Sequence, residues 1–167
     1  TREVTSHYLY VTERFLGRAK LQWSKPTYQA DPKLCETHVH AMLDCNGVPV
    51  SYSAAVGGVG PDRIAVMERV TGPKTALIGR HDNSPGGTCF VAVHEGMAML
   101  HALEIIPAAR RVGMGRAMTV QAAQWAAREG AETFALLCVK ANGPANALYS
   151  KLGMQVAGQY HYRIKES

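Results

Sequence analysis

Short apolar runs separated by turn-forming residues fill the middle of the chain. A cluster of polar residues, Gly and Pro at residues 81–87 ends one run, and His94-Glu95-Gly96 ends the next. Runs of this length between tight turns are typical of β-strands joined as hairpins. We therefore expect three consecutive strands, at residues 75–80, 88–93 and 97–106.

After the third expected strand, the apolar residues recur with the spacing of a helix. Met118 and Trp125 follow Met114 by four and eleven positions, which places these residues on one helical face. This spacing predicts an amphipathic helix over residues 113–129. Gly130 is suited to end it in the left-handed conformation.

The remaining elements are shorter. Residues 134–139 are continuously apolar, which predicts a buried strand parallel to the third one and joined to it through the helix by a right-handed crossover. Residues 145–152 predict a second helix, and residues 156–164 predict a closing strand. The pattern is weaker near the start, where residues 8–15 predict a strand or a short helix and residues 37–43 one or two helical turns.

The composition is that of a globular domain. Apolar residues make up 47% and charged residues 19% of the 167 residues, a length within the ~100–200 expected of one domain. We therefore interpret residues 1–167 as a single α/β domain. No apolar run reaches the ~18 residues of a membrane-spanning helix, and no signal peptide opens the sequence, so a cytoplasmic protein is expected. Thr1 leaves open that the natural chain begins further upstream.

Charge and cysteine content narrow the classes of ligand. The four cysteines are scattered without a C-x-x-C pair, which indicates reduced thiols. The net charge is +5, but basic runs are short and no aromatic residues interleave with them, so nucleic-acid binding is disfavoured. A positive balance favours instead a polyphosphate cofactor or an acidic substrate. His38 and His40 lack the spacing of a zinc site, so we expect no metal. Other residues of types that can bind zinc lie close to these histidines in the sequence, at Cys35, Glu36 and Cys45.

The segment RRVGMGR, residues 110–116, lies between the third strand and the long helix. The first N–H groups of a helix have no intrahelical acceptor and carry about half a positive charge, so they attract phosphate oxygens. Gly113 and Gly115 let an anion approach the backbone, and the arginines supply further charge. The alternative is that the glycines only close the turn and the arginines are solvated.

Two common phosphate loops do not fit this segment. A Walker loop requires Gly-Lys-Ser/Thr, whereas Gly115 is followed by Arg116-Ala117. A dinucleotide-binding loop requires an acidic residue near the end of the next strand, which here ends in Val139-Lys140-Ala141. Nucleoside triphosphates and dinucleotides are therefore disfavoured.

The pattern that remains is R-x-x-G-x-G at residues 110–115, after a strand that ends L-x-I-x-P at residues 103–107. A second block at residues 142–153 reads N-x-x-A-x-x-L-Y-x-K-x-G and is followed by Met154. In this order, the two blocks resemble the GCN5-related N-acetyltransferase (GNAT) family. Met154 departs from the family's pattern, which usually has an aromatic residue at this position. The resemblance covers about residues 74–162, and the earlier residues are only weakly assigned.

The resemblance implies a central mixed, mostly antiparallel sheet with a parallel, splayed central strand pair and flanking helices. It implies that acetyl-CoA lies in the opening of that pair, without a metal. Backbone groups of Leu103 and Ile105 would then bind the pantetheine arm and the thioester, and Asn142 would face the cofactor. The pyrophosphate would lie on the loop, whose residues are Arg110, Arg111, Val112, Gly113, Met114, Gly115 and Arg116.

Catalytic roles follow from the same resemblance. Tyr149 matches the tyrosine that protonates the departing CoA thiolate in many members, and a phenol of pKa ~10 is a suitable donor. The acceptor would be an amine of a small molecule or a peptide, which needs a base to lose its proton. Glu104 is the first candidate for that base and His101 the second. Strand alternation points Glu104 away from Leu103 and Ile105.

Three further points stay open in the sequence. Tyr160 and Tyr162 fit an edge strand, or, by the resemblance, a place over the acceptor pocket. A CoA-binding module without catalytic activity is the alternative function. A homodimer is compatible with the sequence, and no membrane partner is expected.

Overall fold

The computed structural model describes residues 2–12, 38–42, 61–82 and 84–164. The strands are β1 (Arg2–Thr12), β2 (His38–Met42), β3 (Lys74–His81), β4 (Ser84–His94), β5 (Met97–Ile105), β6 (Thr133–Val139) and β7 (Gln155–Ile164). The helices are α1 (Pro61–Glu68), α2 (Met114–Arg128) and α3 (Gly143–Lys151), with a short 3-10 helix at Pro107–Ala109. Within these residues the strands form one seven-stranded sheet, in the order β2-β3-β4-β5-β6-β1-β7.

The central pair of the sheet, β5 and β6, is parallel, and every other neighbouring pair is antiparallel. The parallel register ends where Leu100 lies opposite Leu136. The strands continue to Ile105 and Val139 without further pairing, so a gap opens between them. This confirms the expected mixed, mostly antiparallel sheet with a splayed parallel pair and flanking helices.

Strands β3, β4 and β5 form the predicted hairpins, but the turn predicted at residues 81–87 is wrong in length. β4 already begins at Ser84 and contains Gly86 and Gly87. A Cβ atom at Gly86 would lie 2.7 Å from the Cβ of Ala109, and one at Gly87 would lie 2.5 Å from the Cδ1 of Ile105 in β5. These glycines therefore lie inside a strand, where the 3-10 helix and the neighbouring strand come too close for a side chain.

β5 contains a bulge at Ala102, whose φ angle is 49°. His101 lies opposite Phe90 of β4, and Glu104 lies opposite Thr88. Between these two pairs β5 advances by three residues and β4 by only two, and the extra residue bends β5. As a consequence, His101 and Glu104 project from the same face of the sheet, although simple alternation would separate them.

The two faces of the sheet differ in what packs on them. α2 and α3 pack on the first face, where Met118 and Phe134 are fully buried and Leu136 is 1% exposed. Side chains that alternate with these, such as Ala135 and Phe90, lie on the second face. The first face thus holds the main core of the described residues.

The predictions for the first part of the chain are partly wrong. The helical turns expected at residues 37–43 are replaced by β2, which pairs with β3 so that Val39 lies opposite Gly79. For residues 8–15 the strand alternative is correct up to Thr12, since β1 lies between β6 and β7. Residues 13–15 lie outside the described residues. These pairings are long-range in sequence, so local patterns do not reveal them.

Two cysteines of the described chain, Cys89 and Cys138, are buried free thiols, as expected. Cys35 and Cys45 lie outside the described residues. None of the helices in the ranges given above has the length and hydrophobicity that a bilayer-spanning segment needs.

Candidate active site

The loop that follows β5 places the start of α2 beside the gap in the sheet. Arg111 and Gly113 have φ angles of 63° and 87°, so the chain reverses sharply before the helix. Ala117 N–H donates the first helical bond, to Gly113 O at 3.0 Å. The amides of the three preceding residues therefore have no acceptor within the helix. With the helix dipole, they form a site suited to an anion.

The two glycines of the loop have different roles. Gly113 supplies a left-handed backbone conformation, and a Cβ atom there would meet nothing within 4 Å. At Gly115, a Cβ atom would lie 3.3 Å from Cδ2 of Leu148 and 3.9 Å from Cγ1 of Ile105. Gly115 therefore marks the point where α2 comes close to both α3 and the end of β5.

The arginines of the loop divide into one that is anchored and two that project outward. Arg110 Nε donates a hydrogen bond to Ile105 O at 3.0 Å, which ties the loop to the end of β5. Arg111 and Arg116 are exposed and form no ion pair with a described residue. Arg110 thus has a structural contact that its predicted phosphate role did not include, and the phosphate role of Arg111 and Arg116 stays a prediction.

Asn142, which we expected to face the cofactor, caps α3. Its Oδ1 accepts a hydrogen bond from Ala145 N–H at 3.2 Å. A second amide, Asn146, joins α3 to the sheet: its Nδ2 donates to Val139 O at 3.2 Å, and its Oδ1 accepts from Tyr10 OH at 3.1 Å. Asn146 was not predicted from the sequence. Its position one helical turn after the capping residue was the only local signal.

Tyr149 lies on the first face, between α3 and the sheet. Its side chain is buried, at 6% exposure, and its ring centroid is 5.4 Å from that of Tyr10. Burial, followed by the proximity of Cys138, raises the pKa of Tyr149 well above its usual range. In the described part of the chain its hydroxyl has no hydrogen-bond partner. A neutral phenol with a free O–H can donate a hydrogen bond to a developing anion, but burial disfavours its complete ionisation.

The two candidate bases lie on the second face, on the other side of the sheet from Tyr149. Glu104 is exposed, and the bulge brings it to the same face as His101. Part of the His101 ring remains in water, and the desolvation of the rest lowers its pKa. Thr88, opposite Glu104, is 1% exposed, and its Oγ1 has no hydrogen-bond partner. Thr88 is a further polar group near the gap, and it was not predicted from the sequence.

The order of these elements, a splayed strand pair, an arginine and glycine loop and a second block on α3, is matched by a known family. Residues 59–154 match the model of the acetyltransferase (GNAT) family. The chain belongs to this family. The matched region includes the loop, Tyr149 and both candidate bases of this GNAT domain.

Solved GNAT structures share the fold at low sequence identity. A GCN5-related N-acetyltransferase from Kribbella flavida is 19% identical, with a TM-score of 0.64 over 95% of this chain and 57% of that one. One from Sphaerobacter thermophilus is 17% identical, with a TM-score of 0.62 over 96% of this chain and 51% of that one. The chain thus spans little more than half the length of these two proteins. Among curated proteins, none matches the sequence.

A third neighbour of this GNAT chain is AAC(6')-Iy, solved with a bisubstrate analogue, CoA-S-monomethyl-acetylneamine. It is 14% identical, with a TM-score of 0.62 over 79% of this chain and 99% of that one. Within the described residues, no group of three or more His, Cys, Asp or Glu side chains is placed to hold a metal. The imagined zinc ligands Cys35, Glu36 and Cys45 lie outside the described residues.

Proposed function

We propose that this GNAT domain transfers the acetyl group of acetyl-CoA to an amine of a small molecule or a peptide. The observation that carries the proposal is the free helix N-terminus of α2, which lies at the mouth of the gap between β5 and β6. The contact distance from Gly115 to Leu148 brings α3, which bears Tyr149, to the same place. A phosphate-binding end and a hydrogen-bond donor for a thiolate therefore lie on one side of the gap.

The pyrophosphate of acetyl-CoA fits the loop best. The amides of Met114, Gly115 and Arg116 are free of helical acceptors, and the Arg111 and Arg116 guanidinium groups add positive charge. The pantetheine arm would then extend along β5, where Leu103 and Ile105 lie beyond the last pair with β6. Unpaired backbone groups of a strand need partners, and an amide-containing arm provides them.

The reaction is a direct attack. A neutral amine forms the N–C bond to the thioester carbonyl carbon, and the C–S bond breaks with release of CoA thiolate. An alkylammonium ion has no lone pair, so the acceptor must first lose a proton to become this neutral amine. The proton passes to Glu104 or His101, directly or through water. The lowered pKa of His101 keeps its ring neutral at pH 7, as a base requires. Tyr149 donates a hydrogen bond to the thiolate from the opposite face.

Acetyl-CoA turnover against a panel of amines, read by thiol release, tests this proposal. We expect release with at least one amine, and loss of most of that rate in Tyr149→Phe while CoA still binds. Binding of CoA without release for every amine in the panel would favour a CoA-binding module without catalysis. A cytoplasmic location and a homodimer are expectations from the sequence that stay predictions.

A further inference from the structure

Three aromatic rings form a corner on the second face of the sheet. His7 of β1 and Tyr160 of β7 are stacked, with centroids 4.8 Å apart and an interplanar angle of 11°. Tyr162 stands edge-on to both, at 5.6 Å from His7 and 5.4 Å from Tyr160. Tyr162 is 57% exposed, so the corner faces outward. We call these three residues the aromatic corner.

The strand register places this corner on the same face and at the same end of the sheet as the candidate bases. His7 lies opposite Val139, the last residue of β6, and Tyr160 lies opposite His7. Val139 alternates with Cys138 of the first face, so the corner lies on the second. Neighbouring strands are about 4.8 Å apart, so the tyrosines of β7 lie about 10 Å from β6, and the gap lies on the far side of β6.

The electrostatic character of the corner favours a cation. The faces of neutral aromatic rings carry partial negative charge and attract ammonium and guanidinium groups. The neighbouring basic side chains are held elsewhere: Lys140 Nζ donates to Gln159 and lies over the ring of Tyr8, and Arg163 Nε donates to His161. The residues that hold these two cations alternate along β1 and β7 with the residues of the corner, so they lie on the first face of the sheet. Neither cation therefore occupies the corner.

We propose that the aromatic corner binds the distal ammonium group of a diamine or polyamine whose other nitrogen is acetylated at the gap. This inference rests on the proposed acyl transfer and names the substrate class for it. The acceptor would extend across β6 and β1 along the second face. At least two strand spacings, about 10 Å, separate the gap from Tyr162, so putrescine is too short and a longer polyamine such as spermidine is required.

Steady-state kinetics with spermidine, putrescine, pentylamine and phenylbutylamine test this assignment. We expect the lowest KM for spermidine. Tyr162→Leu should raise that KM about 2- to 30-fold, the range for a lost cation–π contact, while kcat and the KM for pentylamine stay unchanged. Tyr162→Phe, which keeps the ring face, should restore most of the affinity. His161→Leu, on the same strand but the other face, is the matched control.

The proposal is overturned if spermidine and pentylamine have equal KM values, if Tyr162→Leu affects both equally, or if phenylbutylamine is preferred. Calorimetric titration of spermidine into the CoA-bound protein separates this outcome from failure of the proposed function. If spermidine binding weakens in Tyr162→Leu but no amine is turned over, ammonium binding at the aromatic corner is supported and the proposed acetyltransferase function is refuted. If amines are turned over but spermidine binding does not depend on Tyr162, the acetyltransferase function is supported and ammonium binding at the corner is refuted.

Discussion

Two glycines at opposite ends of α2 allow the anion-binding loop to be tested with an internal control. Gly113 precedes the helix and Gly130 follows it, with φ angles of 87° and 86°. A Cβ atom at either position would meet nothing within 4 Å. Gly113→Ala and Gly130→Ala therefore impose the same local strain without a clash, and they differ only in which end of the helix they affect.

The strain of an L-residue in the left-handed region is about 1–2 kcal/mol. We expect each variant to lose about that much of its free energy of unfolding, measured by urea denaturation. Only Gly113→Ala should weaken CoA, because the loop relieves its strain by turning its amides away from the phosphate. Loss of a single charge-assisted hydrogen bond, worth about 1.5–3 kcal/mol, corresponds to a 10- to 150-fold rise in Kd.

Calorimetric titration with CoA measures this difference. The loop hypothesis requires that the ratio of the two Kd values exceeds tenfold. Equal Kd values for Gly113→Ala and Gly130→Ala would refute it, because the strain alone would then account for any loss. Unchanged affinity in both variants would refute it as well.

Further predictions concern the catalytic groups and the α3 anchor. Tyr149→Phe should lower kcat by about 100-fold at unchanged CoA affinity, and a loss of CoA binding would instead assign the ring a packing role. Protonation of the base should make kcat/KM fall at acid pH. If this fall disappears in Glu104→Gln or in His101→Gln, the substituted residue is the base; if it survives in both variants, neither residue is the base. Since the folded-state pKa of His101 is lowered, the unfolded chain binds its proton first, and its contribution to stability should fall as the pH drops below about 6.5. Urea titrations of His101→Gln, compared with the unmutated protein between pH 5 and 8, should show a flatter dependence. Asn146→Ala should cost about 1–3 kcal/mol of unfolding free energy by leaving Tyr10 OH without its acceptor and by removing one donor from Val139 O and from Lys140 O, and a cost below 1 kcal/mol contradicts that anchor.

Elements specified by neighbouring residues could be predicted from the sequence. α2 was predicted at residues 113–129 and begins at Met114 and ends at Arg128, because its apolar spacing and terminal glycines are local signals. The hairpins around β4 were predicted for the same reason. β2 and most of β1 could not be predicted, because their pairing with β3, β6 and β7 depends on residues distant in sequence.

The same distinction applies to the candidate site. Local motifs located the loop and Tyr149, but they gave Arg110 a phosphate role and missed its hydrogen bond to Ile105. The bulge at Ala102 has no marker such as glycine, so alternation along a regular strand separated His101 from Glu104. Asn146 was missed because its partners, Tyr10 and Val139, come together only when β1 and β6 are paired.

The separation of β5 from β6 creates a strand edge in the interior of a sheet. Edges with unpaired backbone groups are normally found at the margins, where they invite pairing with other chains. Here, the register ends at Leu100 while five more residues of β5 remain, up to Ile105. A ligand bound at this edge forms hydrogen bonds with the backbone of β5, as a neighbouring strand would. The ligand concentration should therefore govern the resistance of the protein to heat and to aggregation. At 100 times its Kd, such a ligand adds about 2.7 kcal/mol to the stability of the folded state.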